Sequence, residues 1–169
     1  MSRVDEKPVI RIGVVSDTHG QTAFTRAAVQ MLEAFNPALV LHCGDIGSVE
    51  IVALFAAWPT HFVLGNVDYD AHKLEAAINI CGQTSHGRFG DLEVGGVRIA
   101  FMHGDDESLL SATIESAKYD LVCHGHTHVA HQRHEGRTLV LNPGALYRAN
   151  PHTFAVVELP SREVTSLRV

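Results

Sequence analysis

Five short apolar runs, each closed by a polar signature, constrain this chain more than any other feature of its sequence. They lead into Asp17-Thr18-His19, Gly44-Asp45, Gly65-Asn66-Val67-Asp68, His103-Gly104 and Gly125-His126-Thr127-His128. The first, Val9 to Ser16, is rich in β-branched residues and reads as a strand. A change of period follows: Gln21 to Asn36 places Phe24, Ala27, Ala28, Met31, Leu32 and Phe35 on one helical face, and Pro37 stops the helix. Ala38 to Cys43 and His61 to Leu64 repeat the strand pattern, while Val49 to Trp58 and Ala71 to Ile80 repeat the helical one. Strands alternating with helices of this length call for an α/β fold.

Beyond Cys81 the character shifts. Cys81 to Phe89 is polar and reads as a loop, and Leu92-Glu-Val and Val97 to Met102 flank Gly95-Gly96, a hairpin signal. Ser108 to Lys118 reads as a helix and Leu121 to Cys123 as a strand. The remaining strands, Ala130 to His134, Thr138 to Leu141, Phe154 to Leu159 and Val164 to Val169, are expected to be antiparallel. With no repeat, linker or low-complexity tract, residues 1–169 are expected to form a single α/β domain.

Composition enters as a filter on function. Apolar residues at 46% and charged residues at 19% exclude a disordered chain. The longest apolar run, Ile51 to Trp58, falls far short of the ~20 residues that span a bilayer. The opening Met1-Ser-Arg-Val-Asp-Glu-Lys-Pro lacks the apolar segment of a secretory signal. Three cysteines without metal-finger spacing read as reduced thiols, and the expected location is cytoplasmic. A formal charge of −6 and the lack of a basic run argue against extended nucleic-acid binding. Histidine is the outlier, with 12 residues, and points to metal or acid–base chemistry.

In an open α/β sheet, ligands bind beyond the carboxyl ends of the strands, where loops converge. Asp17, His19, Asp45, Asn66, His103, His126 and His128 are therefore expected to meet in one crevice. All offer oxygen or imidazole nitrogen and none is a thiol, which argues against a structural zinc site. Seven donors are too many for one tetrahedral ion and suit two ions that share a carboxylate. Imidazole mixed with carboxylate favours Mn, Fe, Ni, Co or Zn over Ca or Mg. Taken singly, most of these signatures are ordinary turn chemistry. Gly-His-Thr-His is sharper, because residues i and i+2 of an extended segment point the same way. The signal is the five together, in order, at five strand ends.

This series resembles the calcineurin-like metallophosphoesterase superfamily, and the short length with the Gly65-Asn66-Val67-Asp68 form is similar to its small YfcE-type phosphodiesterase branch. The resemblance runs from about Val9 to Tyr147, and Asn142-Pro143-Gly144 matches the segment that ends the family pattern. It implies a four-layer α/β/β/α sandwich with a binuclear metal centre on loops at one edge. It also implies two divalent transition-metal ions, manganese first, with nickel, iron, cobalt and zinc as alternatives. By position, Asp17, His19 and His128 would bind the first ion, Asn66, His103 and His126 the second, and Asp45 would bridge them. Asp45, Asn66 and His103 are the implied catalytic residues, and the implied reaction is in-line attack on a small phosphodiester by a hydroxide bridging the ions. Two divalent ions against Asp17, Asp45, a hydroxide and one phosphodiester sum to zero charge, whereas a monoester dianion leaves an excess negative charge.

One departure concerns the acid. In much of the superfamily a histidine follows the signature Asn and is thought to protonate the leaving group; here the residue is Val67, as it is non-histidine in the YfcE-type branch. General acid catalysis is worth about 10²–10⁴-fold, so poor leaving groups should suffer unless His72 or a water serves instead. Asp68 is expected to support a turn or to sit behind the ligands rather than to act as the acid. His42 and His124 are expected either to orient a ligand or to pack within the sheet, with Cys43 and Cys123 as small buried neighbours. His61, His86, His131, His134 and His152 are expected on the surface or in loops, and Asn142 in a turn. Two further readings stay open: a non-catalytic protein-binding scaffold like the retromer subunit of this fold, and a phosphomonoesterase. Related small enzymes often self-associate, so a homo-oligomer is open too.

Overall fold

The computed structural model describes residues 8–169; the opening segment read above as lacking a leader lies, through Lys7, outside them. The first half alternates as its periodicity demands: β1 (Ile10–Val15), α1 (Thr22–Glu33), β2 (Leu39–His42), α2 (Val49–Leu54), β3 (Thr60–Phe62) and α3 (Ala71–Ile80). It continues with β4 (Thr84–Ser85), β5 (Phe89–Val94), β6 (Val97–Met102), α4 (Glu107–Glu115) and β7 (Leu121–Cys123). Four strands complete it: β8 (His131–Glu135), β9 (Thr138–Asn142), β10 (Thr153–Leu159) and β11 (Glu163–Arg168). Two sheets result, a six-stranded one ordered β11-β10-β1-β2-β3-β4 and a five-stranded one ordered β5-β6-β7-β9-β8.

The alternation of side chains along β1 explains the layering. Ile12 and Val14 join Leu41 and Val63 against Ile99, Phe101, Leu121, Leu139 and Leu141 of the other sheet. Val15 faces the opposite way, with Val40 and Phe62, into Ala28 and Leu32 of α1, Ile51 and Val52 of α2, and Leu74 and Ile78 of α3. Strands buried on both faces carry near-continuous apolar sequence, as β1 does. On the outer face of the second sheet, Ala100, Met102 and Val122 pack beneath Leu109, Leu110 and Ile114 of α4. The layers are thus α/β/β/α. Asp70 and Asp106 cap α3 and α4, their carboxylates accepting from Lys73 N and Leu109 N at 3.1 and 2.9 Å.

The structure corrects several local expectations. Cys81–Phe89 is not all loop, because Thr84 and Ser85 pair parallel with His61 and Phe62 and extend the first sheet. The C-terminal strands are not all antiparallel. β8 pairs antiparallel with β9, and β10 with β11 and β1, but β9 runs parallel to β7. All five residues of β9 are buried, so its apolar run belongs to an inner strand whose direction local sequence does not encode. α2 ends at Leu54 rather than Trp58, and Ala56 and Trp58 continue in turns closed onto Ala53 O and Phe55 O. No helix among the described residues is long and apolar enough to cross a membrane. Cys43 and Cys123 are buried free thiols, and Cys81 is an exposed one.

Candidate metal centre

The parallel pairing of β1 with β2 does not stop where the strands do. Asp17 N donates to Gly44 O, His19 N to Asp45 O and Gly20 N to Ile46 O, at 3.0, 2.9 and 2.9 Å. Two consecutive loops are thereby zipped together, and Asp17, His19 and Asp45 are set side by side. The second sheet contributes the rest: His103 follows β6, His126 and His128 follow β7, and Gly125 N donates to His103 O at 2.8 Å.

Each buried carboxylate has one oxygen engaged and the other aimed at imidazoles. Asp17 Oδ2 accepts from Ser16 Oγ at 2.6 Å and His126 N at 3.0 Å. Its Oδ1 has no hydrogen-bond partner and lies 3.2 Å from His128 Nε2, 3.7 Å from His19 Nε2 and 3.9 Å from His103 Nε2. Asp45 Oδ1 accepts from Val67 N at 3.0 Å, while Oδ2 sits 3.3 Å from His19 Nε2 and 3.1 Å from His103 Nε2. His103 Nδ1 is 2.8 Å from Cys43 O. A carbonyl only accepts, so Nδ1 donates to it and Nε2 is the nitrogen left facing the carboxylates. His126 Nδ1 approaches His103 Nε2 at 3.3 Å.

The backbone is forced to make this cluster. Asp17, His19, Asp45, His126 and His128 have φ of 53°, 43°, 54°, 71° and 61°. Left-handed backbone is uncommon outside glycine, and its concentration in one spot is a mark of functional sites. Two glycines leave the necessary room: a Cβ at Gly65 would overlap the Asp45 carboxylate, and one at Gly125 would overlap Ser16 Oγ.

The contacts above join six of the seven expected residues, and Asn66 enters through its turn rather than through a side-chain contact. It occupies the turn whose Val67 N binds Asp45, but it is exposed and makes no side-chain hydrogen bond to the other six. Val67 is half-buried beside the cluster, and His72 is exposed on α3.

The supporting residues are more numerous than sequence reasoning found. Asp68 takes three backbone donors, Ile46 N at 3.1 Å, Gly47 N at 3.0 Å and Gly65 N at 2.8 Å, and ties the β2 and β3 loops together. Asn142, expected to serve only its turn, accepts from Gly144 N and also donates from Nδ2 to Gly125 O and Thr127 Oγ1, both at 3.0 Å. His42 does both things expected of it. Its ring packs against Phe55 and Phe62, while Nδ1 accepts from Gly44 N at 3.2 Å and Nε2 contacts Thr18 Oγ1 at 3.0 Å. Thr18, in turn, donates to Ile46 O at 3.0 Å. His124 is buried with Nδ1 3.1 Å from Gly125 O. The Tyr147 ring, which no local signal in the sequence marks, lies 4.6 Å from that of His19. His61 is not a surface residue: it lies half-buried in β3 with Nδ1 2.9 Å from His86 Nε2, because β4 brings His86 alongside.

Charge follows geometry. Burial is the largest single influence on Asp17 and Asp45 and raises their pKa values, but the surrounding hydrogen bonds and charges, led by His19 for Asp17 and His103 for Asp45, together outweigh it and both carboxyls titrate below their ordinary range. Burial lowers the His19 pKa, yet Asp17 and Asp45 more than offset this and lift it to about 9; His103 is raised by the same balance, with Asp45 foremost. Burial pushes His42 down to about 3, so it is neutral, and lowers His124 as well.

The cluster has the attributes of a cation site. Donor atoms of Asp17, His19 and His128 lie within 4.8 Å of one another, as do those of Asp17, Asp45 and His103. Asp17 Oδ1 and His19 Nε2 are buried polar atoms without hydrogen-bond partners. Buried polar groups are rarely left so, and an ion bound here would supply the missing partner. Oxygen and imidazole donors with no thiol suit a divalent transition metal.

Two mixed sheets between helices, with His and Asp donors at the strands' carboxyl ends, place the molecule among the metal-site α/β proteins. More narrowly, the chain belongs to the calcineurin-like phosphoesterase superfamily, whose domain profile matches residues 10–162. It is homologous to the phosphodiesterase MJ0936 of Methanocaldococcus jannaschii, with 28% identity over 159 residues that span 91% of this chain and 96% of that one. Among solved structures, one described as a novel archaeal phosphodiesterase superposes with a TM-score of 0.88 at 27% identity, over 95% of this chain and all of the other. YfcE, a phosphoesterase from E. coli, shares the fold at a TM-score of 0.68 and 16% identity, with 95% of this chain and 100% of that one covered.

Proposed function

We propose that this chain, acting as one domain over residues 1–169, is a metal-dependent phosphodiesterase for small phosphodiesters. The observation that carries the reading is the buried, unpartnered Asp17 Oδ1 facing three imidazole nitrogens beside the Asp45 carboxylate. The relative named a phosphodiesterase, similar along nearly its whole length, supports the reaction class. Asp17, His19 and His128 would hold one ion, and Asn66, His103 and His126 the other. Asp45 Oδ2 lies between His19 of the first set and His103 of the second, which supports it as the bridge. Mn²⁺ is the proposed native ion and the cytoplasm the proposed location.

Two bound divalent ions supply a nucleophile from water at neutral pH and offset charge on the phosphoryl oxygens. The chain's own residues hold and orient. Cys43 O fixes the His103 tautomer, Ser16 Oγ and His126 N fix Asp17, and Val67 N fixes Asp45. Val67 donates nothing from its side chain, so the proposed substrates are diesters whose leaving groups depart without strong acid assistance.

The test starts from metal-free protein. Added Mn²⁺ should switch on hydrolysis of bis(p-nitrophenyl) phosphate, and Asp45→Asn should abolish it with an unchanged circular dichroism spectrum. Full turnover in that variant would remove Asp45 from the bridge. No turnover with any divalent ion, across diester and monoester panels, would overturn the hydrolase reading.

A further inference from the structure

A cavity of about 460 Å³ adjoins the donor cluster, and its walls include His128, Arg148, Asn150, Thr153 and Arg168. His128 belongs to both, since its Nε2 is 3.2 Å from Asp17 Oδ1. The cavity therefore opens directly off the proposed reaction centre. No Asp or Glu lines it, in a chain with 19 acidic residues and a formal charge of −6. Arg11, Arg88, Arg133 and Arg137 each pair with a carboxylate; among the described residues Arg148 and Arg168 do not, nor do Arg26, Arg98 and Arg162, and only Arg148 and Arg168 of these line this cavity. Two arginines thus line a recess to which no Asp or Glu contributes.

Arg148 is held in place. Its φ is 43°, a costly backbone conformation for a residue with a side chain. Its Cζ stands 5.1 Å from the centroid of the Tyr147 ring, which itself lies 4.6 Å from the His19 ring. Cation–π attraction thus favours the guanidinium at the end of a ladder that begins at a donor residue. A fixed planar fork of N–H donors matches phosphate oxygens. The volume falls within the roughly 300–1,000 Å³ typical of small-molecule sites.

Resting on the phosphodiesterase reading, we infer that this cavity is the subsite for a second phosphate group, and that the substrate class is a phosphodiester bearing a terminal phosphate on one arm. Arg148 and Arg168 are its specificity determinants. They select by charge the diester whose extra phosphate reaches past His128, while the scissile phosphorus stays at the donor cluster.

Two probes with the same leaving group test this: thymidine 5′-(p-nitrophenyl phosphate) with a free 3′-hydroxyl, and the same ester with a 3′-phosphate. In the Mn²⁺-loaded protein, kcat/KM for the phosphorylated probe should exceed that for the other by about tenfold or more, chiefly through KM, the scale expected for hydrogen bonds to a charged group. In the Arg148→Ala/Arg168→Ala double variant the ratio should fall to about one, and because it compares two probes in one protein, loss of folded material cancels. A wild-type ratio near one, or the same ratio in the variant, overturns the subsite.

Calorimetric titration of metal-free protein with inorganic pyrophosphate reads the cavity without turnover. The double variant should bind about tenfold more weakly than wild type, and equal affinity overturns the subsite. Should neither probe turn over with any divalent ion while pyrophosphate binding still depends on the two arginines, the hydrolase reading falls and the anion subsite stands.

Discussion

Asp68→Ala strips three backbone N–H groups of their acceptor, those of Ile46, Gly47 and Gly65. The residue is 7% exposed, so water replaces the carboxylate only in part. A hydrogen bond to a charged group contributes about 1.5–3 kcal/mol, and Gly47 is exposed enough for water to satisfy its N–H. The two remaining donors set a loss of roughly 3–5 kcal/mol for alanine, since neighbouring contributions do not add fully. Asp68→Asn keeps the shape and one accepting oxygen, and should lose roughly half as much. The loops that Asp68 joins carry Asp45 and Asn66, so Mn²⁺ affinity should also drop by about 10–100-fold, the usual scale for residues that orient ligands. Equilibrium urea unfolding of metal-free protein measures the first quantity, and Mn²⁺ titration followed by electron paramagnetic resonance of the free ion measures the second. An alanine variant within about 1 kcal/mol of wild type, with unchanged Mn²⁺ affinity, would refute the view that this carboxylate holds the site together.

Three further outcomes are expected. His42 is neutral above pH 6.5 in both folded and unfolded chains; below that the unfolded chain takes up a proton the folded one refuses, so stability falls with pH toward about 3, by about 2 kcal/mol at pH 5 from this residue. Its imidazole resonances should stay at neutral-form shifts at pH 5, and a titration near 6.5 would contradict the burial argument. Gly125→Ala drives a Cβ into Ser16 Oγ and the Asp17 carboxylate, so metal affinity and activity should fall by more than about tenfold while far-ultraviolet dichroism persists; normal activity would show that the loop gives way freely. Mn²⁺ at about 100 times its Kd should stabilise the fold by about 2.7 kcal/mol for each ion bound, read as a higher melting temperature that a chelator reverses. An unmoved melting temperature would mean that no ion binds the native state.

Much of this architecture is legible because its signals are local. Val9 to Ser16 and Ala38 to Cys43 announce strands by composition, and the polar signatures that follow mark the carboxyl ends of the strands. What escapes is carried by partners distant in sequence or by the backbone. The parallel pairing of β9 with β7 depends on where the β8 hairpin returns, which Thr138 to Leu141 does not encode. β4 is two residues long and exists because β3 offers an edge. The role of Asp68 is invisible in its own neighbourhood, since two of its three donors lie more than twenty positions away. Tyr147 meets His19 only after the chain returns from the second sheet. Asn66 is the converse case, a residue whose local motif is plain but whose exposed side chain has no hydrogen bond tying it to the other donors.

The zipper of backbone bonds joining the loops after β1 and β2 makes the Asp17, His19 and Asp45 end of the donor set a continuation of the sheet. Arg148 and its neighbours before β10 belong to a separate stretch of chain. Substitutions there leave untouched the backbone bonds that set Asp17, His19 and Asp45 side by side.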